Sequence, residues 1–129
     1  MYSLQHKHTI QSIMICKTIY FDKIKKNVEF YIGENAQENQ DIVLYAAPED
    51  LWFHLAGRSS PHVLAVTRDM QIDRRFLHAI VVQGSLLCKQ NSKSKSEKNV
   101  DIIYTKIKNV IPTETIGMVE TTNVNHIRM

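Results

Sequence analysis

Alternation of apolar and polar side chains predicts that the chain opens with a β-hairpin. The segment from Ile10 to Phe21 is rich in β-branched and aromatic residues, which is typical of one strand or a bent pair of strands. After a polar, lysine-rich turn, the alternation resumes from Val28 to Ile32, and Gly33 ends this second strand. Two strands joined by a short polar turn predict a hairpin.

The first helix is predicted immediately after this hairpin. Asn35 or Glu34 is placed to cap a helix that runs from Ala36 to Tyr45. Pro48 ends this helix, because proline cannot continue a helix and also restricts the residue before it.

A second, longer helix is predicted in the middle of the chain, where the periodic signal is strongest. Either Asp73 or Asp69 is its candidate N-cap. The positions that recur with helical spacing are Ile72, Phe76, Ala79, Ile80, Gln83 and Leu87.

The remaining segments complete a single α+β domain spanning residues 1–129. Strands at Leu51–Leu55 and His62–Thr67 predict a second hairpin with a long cationic tip, and residues 91–99 form a mobile loop rich in serine and lysine. This order of elements predicts a mostly antiparallel β-sheet with two packed helices. Further strands are predicted at Val100–Thr105, with an extension through Ile107–Ile111, at Ile116–Thr121 and at Val124–Ile127.

Composition narrows the class of protein without fixing its function. The chain has 129 residues, of which 43% are hydrophobic and 22% charged, which excludes a disordered tail, a collagen-like fibre and a disulfide scaffold. The net charge of +3 permits an anionic partner but does not require one. Cys16 and Cys88 form no CxxC pair, so neither a zinc ribbon nor a thioredoxin-like site is expected. Because the sequence shows no long apolar span and no signal peptide, we expect a cytoplasmic protein. We also expect that it needs no cofactor.

Five short motifs, in order, resemble those of NFACT-R domains, and the similarity covers about residues 28–122. We treat residues 1–27 as an N-terminal strand region that precedes the similarity. Glu34 stands where the family usually has lysine or arginine. The motifs are the glycine-helix opening at Tyr31–Gln40, the Asp-x-Trp-Phe-His strand at Asp50–His54, the hairpin return at Ser59–Val63, the Ser92-Lys93 loop with the strand Val100–Thr105, and the Gly-x-Val of Gly117–Val119.

The resemblance implies an RNA-binding domain that contacts tRNA or ribosomal RNA in ribosome-associated quality control or translation. It implies the ribosome or its quality-control factors as partners. No membrane partner is expected, because the chain has no long apolar run. The chain resembles the stand-alone members of the family, and we expect a member without their C-terminal helical or coiled-coil tail. Structural turn roles are implied for Gly33, Asn35, Asn39 and Gly117.

The second hairpin carries the main candidate site for a phosphate. Arg58 can bind a phosphate through two parallel hydrogen bonds, and Ser59 and Ser60 can donate to the same anion. His54 and His62 flank this loop and can stack on a base or donate to phosphate oxygens. The structural alternative is that both histidines only hold the hairpin in shape.

The lysine-rich loop is a second candidate surface for the phosphate backbone. Contacts from lysine to phosphate are electrostatic and do not depend on sequence. The alternative is a solvated loop that keeps the protein soluble. Its candidate residues are Ser92, Lys93, Lys95 and Lys98, and the positive patch continues through Lys89, Lys106 and Lys108.

Aromatic residues offer candidate platforms on which a base could stack. Trp52 and Phe53 alternate on a strand and therefore face opposite sides, so one is expected in the core and the other at the surface. Trp52 is the better core candidate, because a lone tryptophan in a small domain usually anchors packing. Tyr104 and Tyr31 are further candidates, although strand packing explains them equally well.

Two other classes of function compete with RNA binding. His54 and His62, with Glu49 or Asp50, could form a 2-His-1-carboxylate metal site or an acid–base pair for RNA cleavage. No nucleotide-binding loop or catalytic motif supports an enzyme, so we expect no catalytic and no metal-binding residues. The third class is a protein-interaction module that docks through the edge of the isoleucine-rich first strand.

Overall fold

The computed structural model describes residues 14–129. Residues 10–13 of the predicted first strand therefore lie outside the described residues. Two helices and an antiparallel sheet confirm the predicted α+β class. The elements, in chain order, are β1 (Ile15–Phe21), β2 (Lys26–Ile32), α1 (Ala36–Tyr45), β3 (Leu51–Leu55), β4 (Val63–Ala65), α2 (Arg74–Gln90), β5 (Asp101–Lys106), a 3-10 turn (Ile107–Asn109), β6 (Val110–Pro112), β7 (Val119–Thr121) and β8 (Asn125–Arg128).

The main sheet has six strands in the order β1-β2-β4-β3-β5-β8, and every neighbouring pair is antiparallel. Both predicted hairpins are confirmed, with Ile15 opposite Ile32 in the first and Trp52 opposite Leu64 in the second. A separate two-stranded ribbon joins β6 to β7, so the predicted extension of β5 is interrupted by the 3-10 turn.

Both faces of the main sheet are covered. On one face Phe30 and Phe53 pack against α2 around Ile80, and on the other Trp52 packs against α1 and the β6–β7 ribbon. Trp52 is 1% exposed and Phe53 is 0% exposed. The prediction that one of them reaches the surface is wrong, because alternation along β3 sends each side chain into a different covered layer.

Both helices begin at polar caps that the sequence contains. The Asn35 side-chain oxygen accepts a hydrogen bond from the backbone N–H of Glu38 at 2.9 Å, and Asp73 caps α2 in the same way. Gly84 lets α2 lie directly on the sheet, because a Cβ there would stand 2.4 Å from the Phe53 ring. Across residues 14–129, neither helix is long and apolar enough to cross a membrane.

Candidate functional site

A cavity of about 840 Å³ opens at the end of the main sheet where the β3–β4 hairpin turns. We call it the hairpin groove. The start of α1, the loop after α2 and the segment before β7 complete its wall. The predicted binding residues that line it are Trp52, His54, Arg58, Ser59, Ser60, His62, Ser92 and Lys93, and the predicted turn residues are Asn35, Asn39 and Gly117.

His62 holds the hairpin in place rather than facing a ligand. Its side chain is 1% exposed, and its Nδ1 accepts a hydrogen bond from Trp52 Nε1 at 3.1 Å. Burial, followed by the neighbouring His54, lowers the pKa of His62 to about 3, so the ring is neutral at physiological pH. These contacts favour the structural interpretation of His62 over phosphate binding.

Asn39 lies in α1, within the helix predicted from Ala36 to Tyr45, and not in the turn that the family resemblance implied. Its side-chain oxygen accepts the backbone N–H of His62 at 3.0 Å. Gly33 permits this contact, because a Cβ there would stand 2.3 Å from the same Asn39 oxygen. The glycine and the asparagine therefore join α1 to the hairpin.

His54 is half-buried and contributes a flat, neutral ring to the groove. Its ring stacks on Trp52 with centroids 5.5 Å apart and lies 5.1 Å from His62. Its Nδ1 lies 2.6 Å from the carbonyl oxygen of Leu55, to which it can donate a hydrogen bond. Burial lowers the pKa of His54 and outweighs this hydrogen bond, which raises it. His54 is therefore suited to stacking rather than to charge pairing with phosphate.

Arg58 is already paired within the protein. Its Nη1 donates to Ser94 Oγ at 2.7 Å and lies 3.1 Å from both carboxylate oxygens of Glu97. Hydrogen bonds from Arg58 and then Ser94 lower the pKa of Glu97, which keeps the carboxylate charged. A phosphate that binds Arg58 must therefore compete with Glu97.

Some serine hydroxyls of the site are bonded within the protein, whereas another is free to bind a ligand. Ser60 Oγ accepts the backbone N–H of Leu55 and donates to the carbonyl of Pro61, and Ser92 Oγ donates to the carbonyl of Lys89. These bonds stabilise the hairpin and the turns of the lysine-rich loop. Ser59 is exposed, and its hydroxyl has no hydrogen bond within the described chain.

The positive patch is smaller than predicted. Lys106 and Lys108 both pair with Glu49, at 2.7 and 3.3 Å, so they do not extend the lysine-rich loop. Lys89 donates to the backbone oxygen of Met129 at 3.0 Å. Three lysines of the loop are exposed and have no ion pair within residues 14–129, namely Lys93, Lys95 and Lys98. Only Lys93 of these lines the groove.

The other predicted stacking platforms lie within packed layers. Tyr104 is half-buried and stacks on Phe53 with centroids 6.1 Å apart, and Tyr31 is buried against Tyr45. The groove instead has an apolar section that sequence reasoning missed. It includes Ile116 and Met118. The sequence pattern that could have indicated them is two large apolar residues on either side of a glycine in a polar segment.

The alternative metal site of His54 and His62 with Glu49 or Asp50 is not supported, because both carboxylates are held by other partners. Asp50 is fully buried and accepts hydrogen bonds from Arg68 and from the backbone N–H groups of Ala47 and Thr67. Glu49 is occupied by lysines. No group of three or more potential metal ligands occurs in the described part of the chain.

The fold and the groove together define a small α+β binding domain, with helices on both sheet faces and a groove of mixed polar and apolar lining at the hairpin end. Residues 17–124 match the family model described as NFACT protein RNA binding domain, so the chain belongs to the NFACT-R family of RNA-binding domains. This match includes most of β1 and therefore begins earlier than the similarity seen in the sequence motifs.

The chain is similar to proteins named coiled-coil domain-containing protein 25. The chain is 36% identical over 101 residues to a coiled-coil domain-containing protein 25 homolog from Dictyostelium discoideum, covering 78% of this chain and 48% of that protein. It is 31% identical to coiled-coil domain-containing protein 25 from Mus musculus, covering 64% of this chain and 40% of that protein. The chain thus spans about half or less of the length of these relatives.

A solved structure shares the fold. It is the C-terminal part of the fibronectin/fibrinogen-binding protein from Streptococcus suis, with a TM-score of 0.71. The similarity covers 86% of this chain and 43% of that chain at 18% sequence identity, so it supports the fold alone.

Proposed function

We propose that the domain binds tRNA or ribosomal RNA through the hairpin groove, in cytoplasmic ribosome-associated quality control or translation. The observation that carries this proposal is the meeting of Arg58, Ser59 and Lys93 at one cavity. Lys95 and Lys98 extend the positive surface along the same loop. Cationic and hydroxyl groups of this kind bind the phosphate backbone of RNA.

The ion pairs around the groove determine how strongly it can bind an RNA phosphate. Lys93 is exposed and unpaired within residues 14–129, so it can bind a phosphate without breaking an existing ion pair. Arg58 must first leave Glu97, which lies 3.1 Å away. Glu34 also lines the groove and opposes an approaching phosphate. We therefore expect modest affinity that depends strongly on salt.

The test is fluorescence anisotropy of labelled tRNA and of a ribosomal RNA stem, titrated at several salt concentrations. Lys93→Ala should weaken binding and reduce the slope of log K against log salt by about 0.7 to 0.9, the value for one lost phosphate contact. Glu97→Gln should strengthen binding and steepen the slope, because Arg58 then meets the phosphate without a competing carboxylate.

Lys23→Ala is the matched control, since it changes the net charge by the same amount. Lys23 is exposed in the β1–β2 turn, at the far end of a seven-residue strand that spans about 20 Å. An equal effect of Lys23→Ala and Lys93→Ala would place the RNA elsewhere on the surface. No binding at low salt would reject the proposed function.

Docking to another protein through the sheet edge is the second candidate function. β1 is one of the two edge strands of the described sheet, and Tyr20 on it is 55% exposed. An edge strand presents unpaired backbone groups that can extend a sheet with another chain. Such docking should depend weakly on salt, whereas phosphate binding depends on it steeply.

A further inference from the structure

We infer that the hairpin groove accepts the base of one unpaired nucleotide, while the phosphate of that nucleotide lies on its cationic rim. This inference rests on the proposed RNA binding and specifies the form of RNA that is recognised. The groove combines a polar, positive part with an apolar part, and a nucleotide has the same two parts.

The apolar part is held open rather than packed into the core. Ile116 is 55% exposed and Met118 is 60% exposed, although both line the groove. Between them, Gly117 donates its N–H to Gln40 of α1 at 3.0 Å and adopts a φ of +82°. A Cβ at this position would stand 2.8 Å from the carbonyl oxygen of Ala36. The glycine therefore fixes two large apolar side chains beside the cavity.

His54 supplies a stacking surface within the same groove. Its ring is neutral, because burial lowers its pKa, and Trp52 supports it with planes only 11° apart. A neutral ring of this kind stacks on any base without requiring a particular base identity. The buried Trp52 thus acts through His54 rather than contacting RNA itself.

The volume of the groove and the position of Lys93 fit an unpaired nucleotide better than a helical stem. The cavity of about 840 Å³ lies within the range of about 300 to 1,000 Å³ that is usual for small-ligand sites. A base within a duplex is stacked and paired, so its faces are not available to the groove. Lys93 lines the same cavity and can bind the phosphate once the base has entered.

The test uses three labelled RNA duplexes, each annealed from two strands and without a hairpin loop, in anisotropy titrations with the wild-type protein. One carries a single-adenosine bulge, the second carries an abasic residue at that bulge, and the third is fully paired. The first two have the same number of phosphates, so any difference between them reports the base alone. We expect roughly ten-fold tighter binding of the adenosine bulge, as the stacking of one base provides.

Met118→Ala should remove most of this preference while leaving the salt slope unchanged. Ile111→Ala is the matched control, because Ile111 is 55% exposed on the β6–β7 ribbon but does not line the groove. Equal binding of the three RNAs with a steep salt slope would overturn this inference and leave the proposed function standing. Absence of binding to all three, and to tRNA, would overturn both.

Discussion

Acidification should destabilise the domain through His62. The ring is buried against Trp52, and its pKa is lowered to about 3, mainly by burial and secondarily by His54. In the unfolded chain the pKa returns to the ordinary value of about 6.5. The unfolded state therefore binds a proton that the folded state does not. The stability from this group is complete above about pH 6.5 and is lost as the pH falls toward 3.

The magnitude follows from the two pKa values. One group contributes about 1.4 kcal/mol per pH unit within this window. Between pH 6.5 and pH 5, His62 should therefore remove about 2 kcal/mol of the free energy of unfolding. The pKa of His54 is also lowered by burial, so its contribution has the same sign. This is a large share of the roughly 5 to 15 kcal/mol that stabilises a typical domain.

The assay is urea unfolding at pH 7, 6 and 5, combined with an NMR titration of the histidine rings. The His62 resonances should not titrate between pH 8 and 5 while the protein remains folded. His62→Gln keeps an acceptor for Trp52 but cannot titrate, so its unfolding midpoint should depend less on pH. His78→Gln is the control, because His78 is exposed on α2 and its side chain makes no hydrogen bond or ion pair within residues 14–129.

A His62 ring that titrates near its ordinary pKa would refute this reasoning. An unfolding free energy that stays constant between pH 7 and 5 would refute it as well. Either result would mean that the ring is hydrated, and it would restore His62 as a cationic phosphate ligand.

Two further predictions concern the stability of the site's framework, and both are measured by urea unfolding. Asn39→Ala should cost about 1 to 3 kcal/mol, because it leaves the buried N–H of His62 without its acceptor. Arg68→Ala should cost about 3 kcal/mol, the lower end for a broken buried pair, since two backbone N–H groups still bind Asp50. Stability equal to wild type in either variant would contradict the assigned contacts.

Local rules predicted the elements of the fold. Alternation identified both hairpins, and local cap signals narrowed each helix start to two candidates, because a cap depends on residues within one turn. The structure places Asn35 and Asp73 at the caps. The family motifs indicated which segments meet at the site, since the β3–β4 hairpin and the Ser92-Lys93 loop both line the groove. Strand bounds were less accurate, as at β4, which is limited to Val63–Ala65.

The sequence by itself thus determined the α+β class, the hairpins and the family. Only the tertiary structure decided which of the candidate side chains remain available to a ligand. Arg58 pairs with Glu97 across 39 residues, and Lys106 pairs with Glu49 across 57. Burial of His62 likewise depends on α1 folding over the hairpin. Periodicity reports which residues share a face, whereas charge pairing and burial depend on which distant segments the fold brings into contact.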